Sequence, residues 1–337
     1  MQQIGLEHSM ELKDVWLGYQ PGEHLVSGIN ASIRPGEMIA LVGRNGTGKS
    51  TLLRTIAGIQ LTARGEVIVN GSSIKDIHPR ELSFMISFVG TGGGLTENLT
   101  VYEMVSLGRH PHTNWWGSLR KADRNKIQES IHFVGMEKFM DIRVDRLSDG
   151  ERQRVMIAMA LAQDTRVIIL DEPTAFLDIP NRIGIIEVLQ RLKEEGRSVI
   201  FSTHEFDNAF TSADKIWVIH DRQLLDGAPE DLGMAGAFED IFSESKIAFD
   251  HQNLRFVRAR KMEKQIVLHW LDDVTGYWTN RALERAGFRA TGESAEGLPA
   301  VWVLKDREGY QWKLIDGNSE KVFRSLYELT GYLTHIR

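Results

Sequence analysis

Gly43-Arg44-Asn45-Gly46-Thr47-Gly48-Lys49-Ser50 is the stretch on which the reading of this chain turns. It matches without interruption the pattern G-x-x-x-x-G-K-[ST] of a phosphate-binding loop. Glu37 to Val42 before it reads as a buried strand, and Lys49 to Ala57 after it as a helix stopped by Gly58. The glycines let the backbone fold closely enough for its N–H groups to converge on a β-phosphate, and the helix dipole adds positive potential. Lys49 is the candidate partner of the β- and γ-phosphates, and the Ser50 hydroxyl the candidate Mg²⁺ ligand. Gly43, Arg44, Asn45, Gly46, Thr47, Gly48 and Thr51 complete the candidate nucleotide-binding set. Glycine-rich turns between strands and helices are common; Lys-Ser in register with both flanking elements is not.

Outward from the loop, the rhythm is strand, turn, helix. Met10 to Tyr19 alternates as a strand, with Ile29 to Ile33 as its antiparallel neighbour, and Glu66 to Val69 runs into the tight turn Asn70-Gly71. A mostly helical stretch covers about 100–163. Arg166 to Leu170 and Ser198 to Ser202 are apolar strands without polar alternation, the signature of a parallel sheet covered on both faces. A helix from Pro180 to Glu195 lies between them. The first of these strands delivers Asp171 and Glu172 at its carboxyl end, where open α/β sheets bind ligands. Asp171 is the candidate holder of Mg²⁺, and Glu172 the candidate base that orients and deprotonates a water.

Composition sets the frame. The 337 residues, 42% hydrophobic and 26% charged, suit an ordinary globular protein with one large core and one smaller. A net charge of -6 argues against a nucleic-acid partner, and the lack of cysteine excludes disulfides, thiolate nucleophiles and thiolate metal sites. No apolar run approaches the roughly 20 residues of a membrane span. Met1 to Met10 lacks a basic leader and an apolar core, so no signal peptide is expected.

After the first 248 residues the character changes, and 249–337 reads as a small α+β unit. Gln265 to Trp270 is an expected strand, Thr279 to Ala286 a helix, and Ala300 to Lys305 with Tyr310 to Ile315 a hairpin. A last helix is expected over Ser319 to Leu333, with Val322, Leu326, Leu329 and Leu333 on one face. Trp270, Trp278, Trp302 and Trp312 read either as the core of this unit or as a stacking site for a ligand.

Leu147-Ser148-Asp149-Gly150-Glu151-Arg152-Gln153, some 20 residues before Asp171, resembles the L-S-G-G-Q signature of the ABC ATPase family. Together with the phosphate loop and Asp171-Glu172, the resemblance covers about 10–222. It implies a P-loop NTPase α/β fold with a helical subdomain, ATP and Mg²⁺ as ligands, and ATP hydrolysis. It also implies a homodimer in which Ser148 and the Gly150 amide meet the γ-phosphate held by the other copy. Ser148-x-x-Glu151 is equally a helix capping box, and both readings stand together. Tyr19 is similar to the adenine-stacking aromatic, Asp178 to the loop coupling the two sites, and His204 to the switch histidine. The family's loop glutamine is replaced by Thr91, which is shorter, and Asp149 and Glu151 stand where glycine and glutamine are usual.

Gly108-Arg109-His110-Pro111 resembles importers of iron-siderophore, haem or cobalamin. That implies permease partners in the membrane, an external substrate-binding protein, and a peripheral place on the cytoplasmic face of the inner membrane. Leu107 to Gln128, with five Lys or Arg against one Asp, reads as a solvated face. The alternative is a soluble ABC ATPase acting on ribosomes or DNA. Such proteins usually carry two ATPase units or a long coiled coil, which this chain lacks. The C-terminal unit reads as a ligand sensor or dimerisation module.

Overall fold

Apolar runs without polar alternation place strands at the centre, and the computed structural model builds the larger part of the chain around them. It describes residues 8–20, 23–91, 98–242, 247–251, 254–258, 262, 264–292, 297–307 and 309–335. In chain order come β1 (Met10–Gln20), β2 (Glu23–Ile33), β3 (Met38–Gly43), α1 (Lys49–Ile56), β4 (Arg64–Val69) and β5 (Ser72–Ser73). Next are α2 (Pro79–Leu82), β6 (Ile86–Val89), α3 (Val101–Ser106), α4 (Lys121–Phe133), α5 (Asp149–Ala162), β7 (Val167–Leu170) and α6 (Ile179–Glu194). Then follow β8 (Ser198–Ser202), α7 (Phe206–Ser212), β9 (Lys215–His220), β10 (Gln223–Gly227), α8 (Pro229–Met234), α9 (Ala237–Ile241), β11 (Ile247–Asp250) and β12 (Arg255–Arg258).

The central sheet has the order β10-β9-β3-β8-β7-β6 and is parallel except for β10. Every residue of β3 is buried. Met38, Ala40 and Val42 face the core shared with α5 and α6, while Ile39 and Leu41 face α1 and the antiparallel sheet β2-β1-β4-β5. Two buried faces explain why β3, β7 and β8 show no polar alternation. The expected turn at Asn70-Gly71 joins β4 to β5, with Val69 paired to Ser72 and both turn residues at positive φ.

The helical segment is fastened to α5 by two devices. At Gly108 a Cβ would lie 2.0 Å from the Met159 carbonyl oxygen, so only glycine permits this approach. Arg109 is buried, donating to Asp123 at 3.0 and 2.8 Å and to the Ala162 carbonyl at 2.7 Å. This corrects the expected solvated face: Arg109 is an internal clamp, while Arg120, Lys121 and Arg124 are exposed. Burial raises the Asp123 pKa, but the Arg109 hydrogen bonds, the Arg120 amide and the guanidinium charge together hold it below the ordinary aspartate value.

The described residues form two compact units, Met1–Ser243 with Phe249–Phe256, and Glu244–Ala248 with Val257–Arg337. Phe249 and Phe256 count with the first because their rings pack among Phe206, Phe210, Phe238 and Phe242, at centroid distances of 4.6 Å for Phe206–Phe256 and 5.0 Å for Phe238–Phe249.

The second unit holds β13 (Lys264–His269), α10 (Asp273–Arg285), β14 (Phe288–Thr291), β15 (Ala300–Lys305), β16 (Tyr310–Asp316), β17 (Ser319–Phe323) and α11 (Leu326–His335). Its sheet order is β14-β13-β15-β16-β17, with β13 parallel to both neighbours and the rest antiparallel. Three expectations are corrected here. Ser319 to Phe323 is a strand, because Gly317 at φ 55 turns the chain and Asp316 pairs with Ser319; the last helix starts only at Leu326, and Val322 is exposed. Helix α10 begins six residues before the expected Thr279, since Asp272 caps it through the Thr275 amide. The core consists of Ile266, Leu268, Leu283, Phe288, Val301, Val303, Leu314, Leu329 and Leu333, not of tryptophans. Trp270, Trp278 and Trp302 are 50%, 61% and 40% exposed; only Trp312 packs on that core, donating to Thr279 at 2.9 Å.

Candidate active site

The turn from β3 into α1 is built by left-handed backbone. Gly46 and Gly48 lie at φ 81 and 105, conformations that a Cβ disfavours, and Gly48 is the N-cap of α1. Thr47 donates its hydroxyl to the Arg44 carbonyl at 2.9 Å. Lys49 is buried, and its Nζ donates to the carbonyls of Gly43 at 2.8 Å and Arg44 at 3.3 Å. Burial pulls its ammonium below the ordinary lysine value, while the charges of Glu172 and Asp171 oppose that pull. Thr51 is buried behind the loop; Arg44, Asn45 and Gly46 are exposed, and Ser50 is half-buried.

Asp171 and Glu172 leave the carboxyl end of β7. Asp171 is 2% exposed. The Ser202 hydroxyl, at the end of the adjacent β8, donates to Asp171 Oδ1 at 2.7 Å and accepts the Glu172 amide at 2.8 Å. Asp171 Oδ2 is buried and has no hydrogen-bond partner among the described residues. A buried, uncompensated carboxylate oxygen is costly and fits a cation. Among the described residues no cluster of three His, Asp or Glu can hold a metal alone, so a cation here would share its ligands with phosphate oxygens. Glu172 itself sits at φ 50, an uncommon conformation for a non-glycine residue. His204 Nδ1 lies 3.8 Å from Glu172 Oε2.

A cavity of about 310 Å³ opens beside this pair, lined by Thr91, Asp149, Arg152, Gln153, Asp171 and Glu172 among others. Thr91 is exposed at its rim; residues 92–97 of its loop lie outside the described residues, as does the Tyr19 side chain on β1.

Ser148 caps α5. Its hydroxyl accepts from the Glu151 amide at 3.4 Å, and Glu151 accepts from the Ser148 amide at 2.8 Å and hydroxyl at 2.7 Å. Asp149, exposed on the cavity wall, pairs with Arg152. A Cβ on Gly150 would meet Asn181 at 2.5 Å, so this glycine is needed where α5 meets α6. Asp178 caps α6, accepting from the Asn181 amide at 3.1 Å. Thus Lys49, Asp171, Glu172 and His204 converge, whereas no hydrogen bond or ion pair among the described residues joins Ser148 or Gly150 to the phosphate loop. Ser202 escaped the sequence reading. The one local signal for it is a serine closing a strand whose three central residues are apolar.

Residues 26–175 match the family described as ABC transporter, and residues 266–334 the Iron ABC transporter C-terminal domain. The petrobactin import ATP-binding protein FpuC of Bacillus anthracis is 34% identical over 239 residues, 70% of this chain and 88% of that relative. The ferric enterobactin transport ATP-binding protein FepC of Escherichia coli is 34% identical over 229 residues, 67% of this chain and 84% of the relative. Among solved structures, the dimeric post-hydrolysis state of the ATP-binding cassette MJ0796 bound to ADP and Pi superposes with a TM-score of 0.57. It is 29% identical and covers 65% of this chain and 98% of that one. With the phosphate loop, the paired carboxylates and these likenesses together, the chain belongs to the ABC transporter family, as one of its ATP-binding and ATP-hydrolysing subunits.

Proposed function

We propose that this subunit drives an importer of iron-siderophore complexes, with haem and cobalamin as the related cargoes. Two relatives named for petrobactin import and ferric enterobactin transport support the cargo class, and so does the C-terminal match to an iron transporter domain. They give no support to a role on ribosomes or DNA. No described helix is long and apolar enough to cross a membrane. Transport therefore rests on permease subunits in the membrane, with an external binding protein delivering cargo and this chain on the cytoplasmic face of the inner membrane.

The observation that carries the chemistry is Asp171 with its orphaned oxygen beside Glu172, both tied to Ser202. ATP phosphates take the Lys49 ammonium from the Gly43 and Arg44 carbonyls that hold it at rest. Tyr19 stacks on adenine. Ser50 and Asp171 would hold Mg²⁺, which would supply positive charge against the phosphates. Glu172 orients the water and takes its proton, and His204 steadies the γ-phosphate. Ser148 and Gly150 of a second copy close over that phosphate. Phe176, 97% exposed, and the exposed Ile179 and Ile183 flank Asp178 and offer an apolar surface for such a copy.

Two measurements test this. Glu172→Gln should bind ATP, turn over at least ~100-fold more slowly and form an ATP-dependent dimer on size-exclusion chromatography; wild-type turnover would remove Glu172 from the role. Detergent-solubilised membranes should yield the chain together with a multi-spanning permease. Recovery on ribosomes or DNA instead would overturn the transport assignment.

A further inference from the structure

The second unit contains a cavity of about 340 Å³, within the range of small-ligand pockets, and it lies in no part of the ATP site. Its place follows from topology. β13, α10 and β14 form a crossover with β14 parallel to β13, and the cavity lies beyond the carboxyl ends of these two strands. In open α/β sheets that is where ligands bind.

Its walls are unusual for a surface dent. Trp270 follows β13 directly, and half of it is exposed although burial of an indole is strongly favourable. Its ring packs against Gly276, the fourth residue of α10, where a Cβ would come within 2.8 Å of Cγ and 2.9 Å of Cδ1. Glycine inside a helix weakens that helix, so the residue there serves the indole. Gly292, after β14, lies beside the far end of the ring, where a Cβ would be 3.9 Å from Cη2. The indole is thus packed close to Gly276, and both residues line the cavity.

The one charged group on the lining is the Asp273 carboxylate, which can only accept. Asp273, exposed in the first turn of α10, makes no hydrogen bond or ion pair among the described residues. Asn280 gives one amide N–H to Glu284 at 3.0 Å, which leaves its carbonyl oxygen and its second N–H for a ligand. Tyr277 adds a half-exposed phenol. A π-face with a carboxylate and a carbonyl suits a flat ring that donates hydrogen bonds, and it disfavours an anion.

We propose that the cavity bounded by Trp270, Asp273, Gly276 and Asn280 binds a small planar aromatic molecule bearing N–H or O–H donors. The test is calorimetric titration of the full chain with three probes: tryptamine, catechol and benzoate. Tryptamine and catechol should bind saturably, and benzoate should not. Trp270→Ala should weaken both at least ~10-fold, while Trp270→Phe, which keeps a π-face, should stay within a few-fold. Asp273→Asn should weaken cationic tryptamine ~10-fold more than neutral catechol. Gly276→Ala should also weaken both, because its Cβ displaces the indole, while thermal unfolding shows the chain still folded. The proposal is overturned if neither donor ring binds at millimolar concentration, if benzoate binds as well as they do, or if Trp270→Ala and Gly276→Ala both leave binding unchanged.

Discussion

A single hydroxyl serves two carboxylate-bearing residues at the end of β8. Ser202 has one proton, and Asp171 takes it; the Glu172 amide therefore meets an oxygen that can only accept. Ser202→Ala removes both bonds, freeing a second Asp171 oxygen and loosening Glu172, the residue proposed to aim the water. The expected outcome is a ~10–100-fold loss of turnover with a raised Mg²⁺ requirement, as when outer-shell partners of metal ligands are removed. A magnesium titration of ATPase activity checks it, and an unchanged half-saturation would separate Ser202 from the metal site. As candidates, Lys49, Ser50, Asp171 and Glu172 were legible in the sequence because each belongs to a short motif whose spacing is local. Ser202 was not, since its partners are 30 and 31 residues away and meet it only through strand pairing.

Among elements, the helical segment depends on the Arg109–Asp123 clamp. Asp123→Asn leaves a buried guanidinium without its counter-charge, and the expected cost is about 2–3 kcal/mol from hydrogen bonds to charged groups. The pH dependence has a definite sign. The folded-state pKa of Asp123 is depressed, so its stabilisation is complete above the ordinary aspartate value, about 4, and is lost as pH falls through the depressed value. Wild type and Asp123→Asn should therefore differ in denaturation midpoint at neutral pH and converge in strong acid. A constant gap would locate the effect in packing instead. Reading Arg109 as solvated failed because charge density says nothing of which side chain turns inward. The last helix was misdrawn for a related reason. Val322 falls into helical spacing with Leu326, Leu329 and Leu333, yet Gly317-Asn318 had already set a two-residue hairpin turn, and the strand pairing won. The tryptophans could be read as core or as a stacking site and no further, because composition reports a residue's cost in water and not whether the fold covers it.

At the scale of the molecule, the two units keep separate cores. The buried clusters of the larger unit contain no residue of the smaller, and the nine-residue cluster of the smaller none of the larger. Truncation after Arg258 retains the Phe249 and Phe256 rings, and it should leave ATP turnover of the isolated subunit within a few-fold of the full chain. A folded, monodisperse truncation without turnover would mean that the motor extends beyond the family match at 26–175 and the motifs up to His204. The backbone at Glu172, held at φ 50, has a consequence in time as well as in space. Strain at such a position costs about 1–3 kcal/mol, and the proposed role of Glu172 as the catalytic base accounts for its being kept. Glycine or asparagine would relieve it and destroy the base. In a lineage released from hydrolysing ATP, position 172 should drift toward those residues first, and the protein would grow more stable as it forgot how to work.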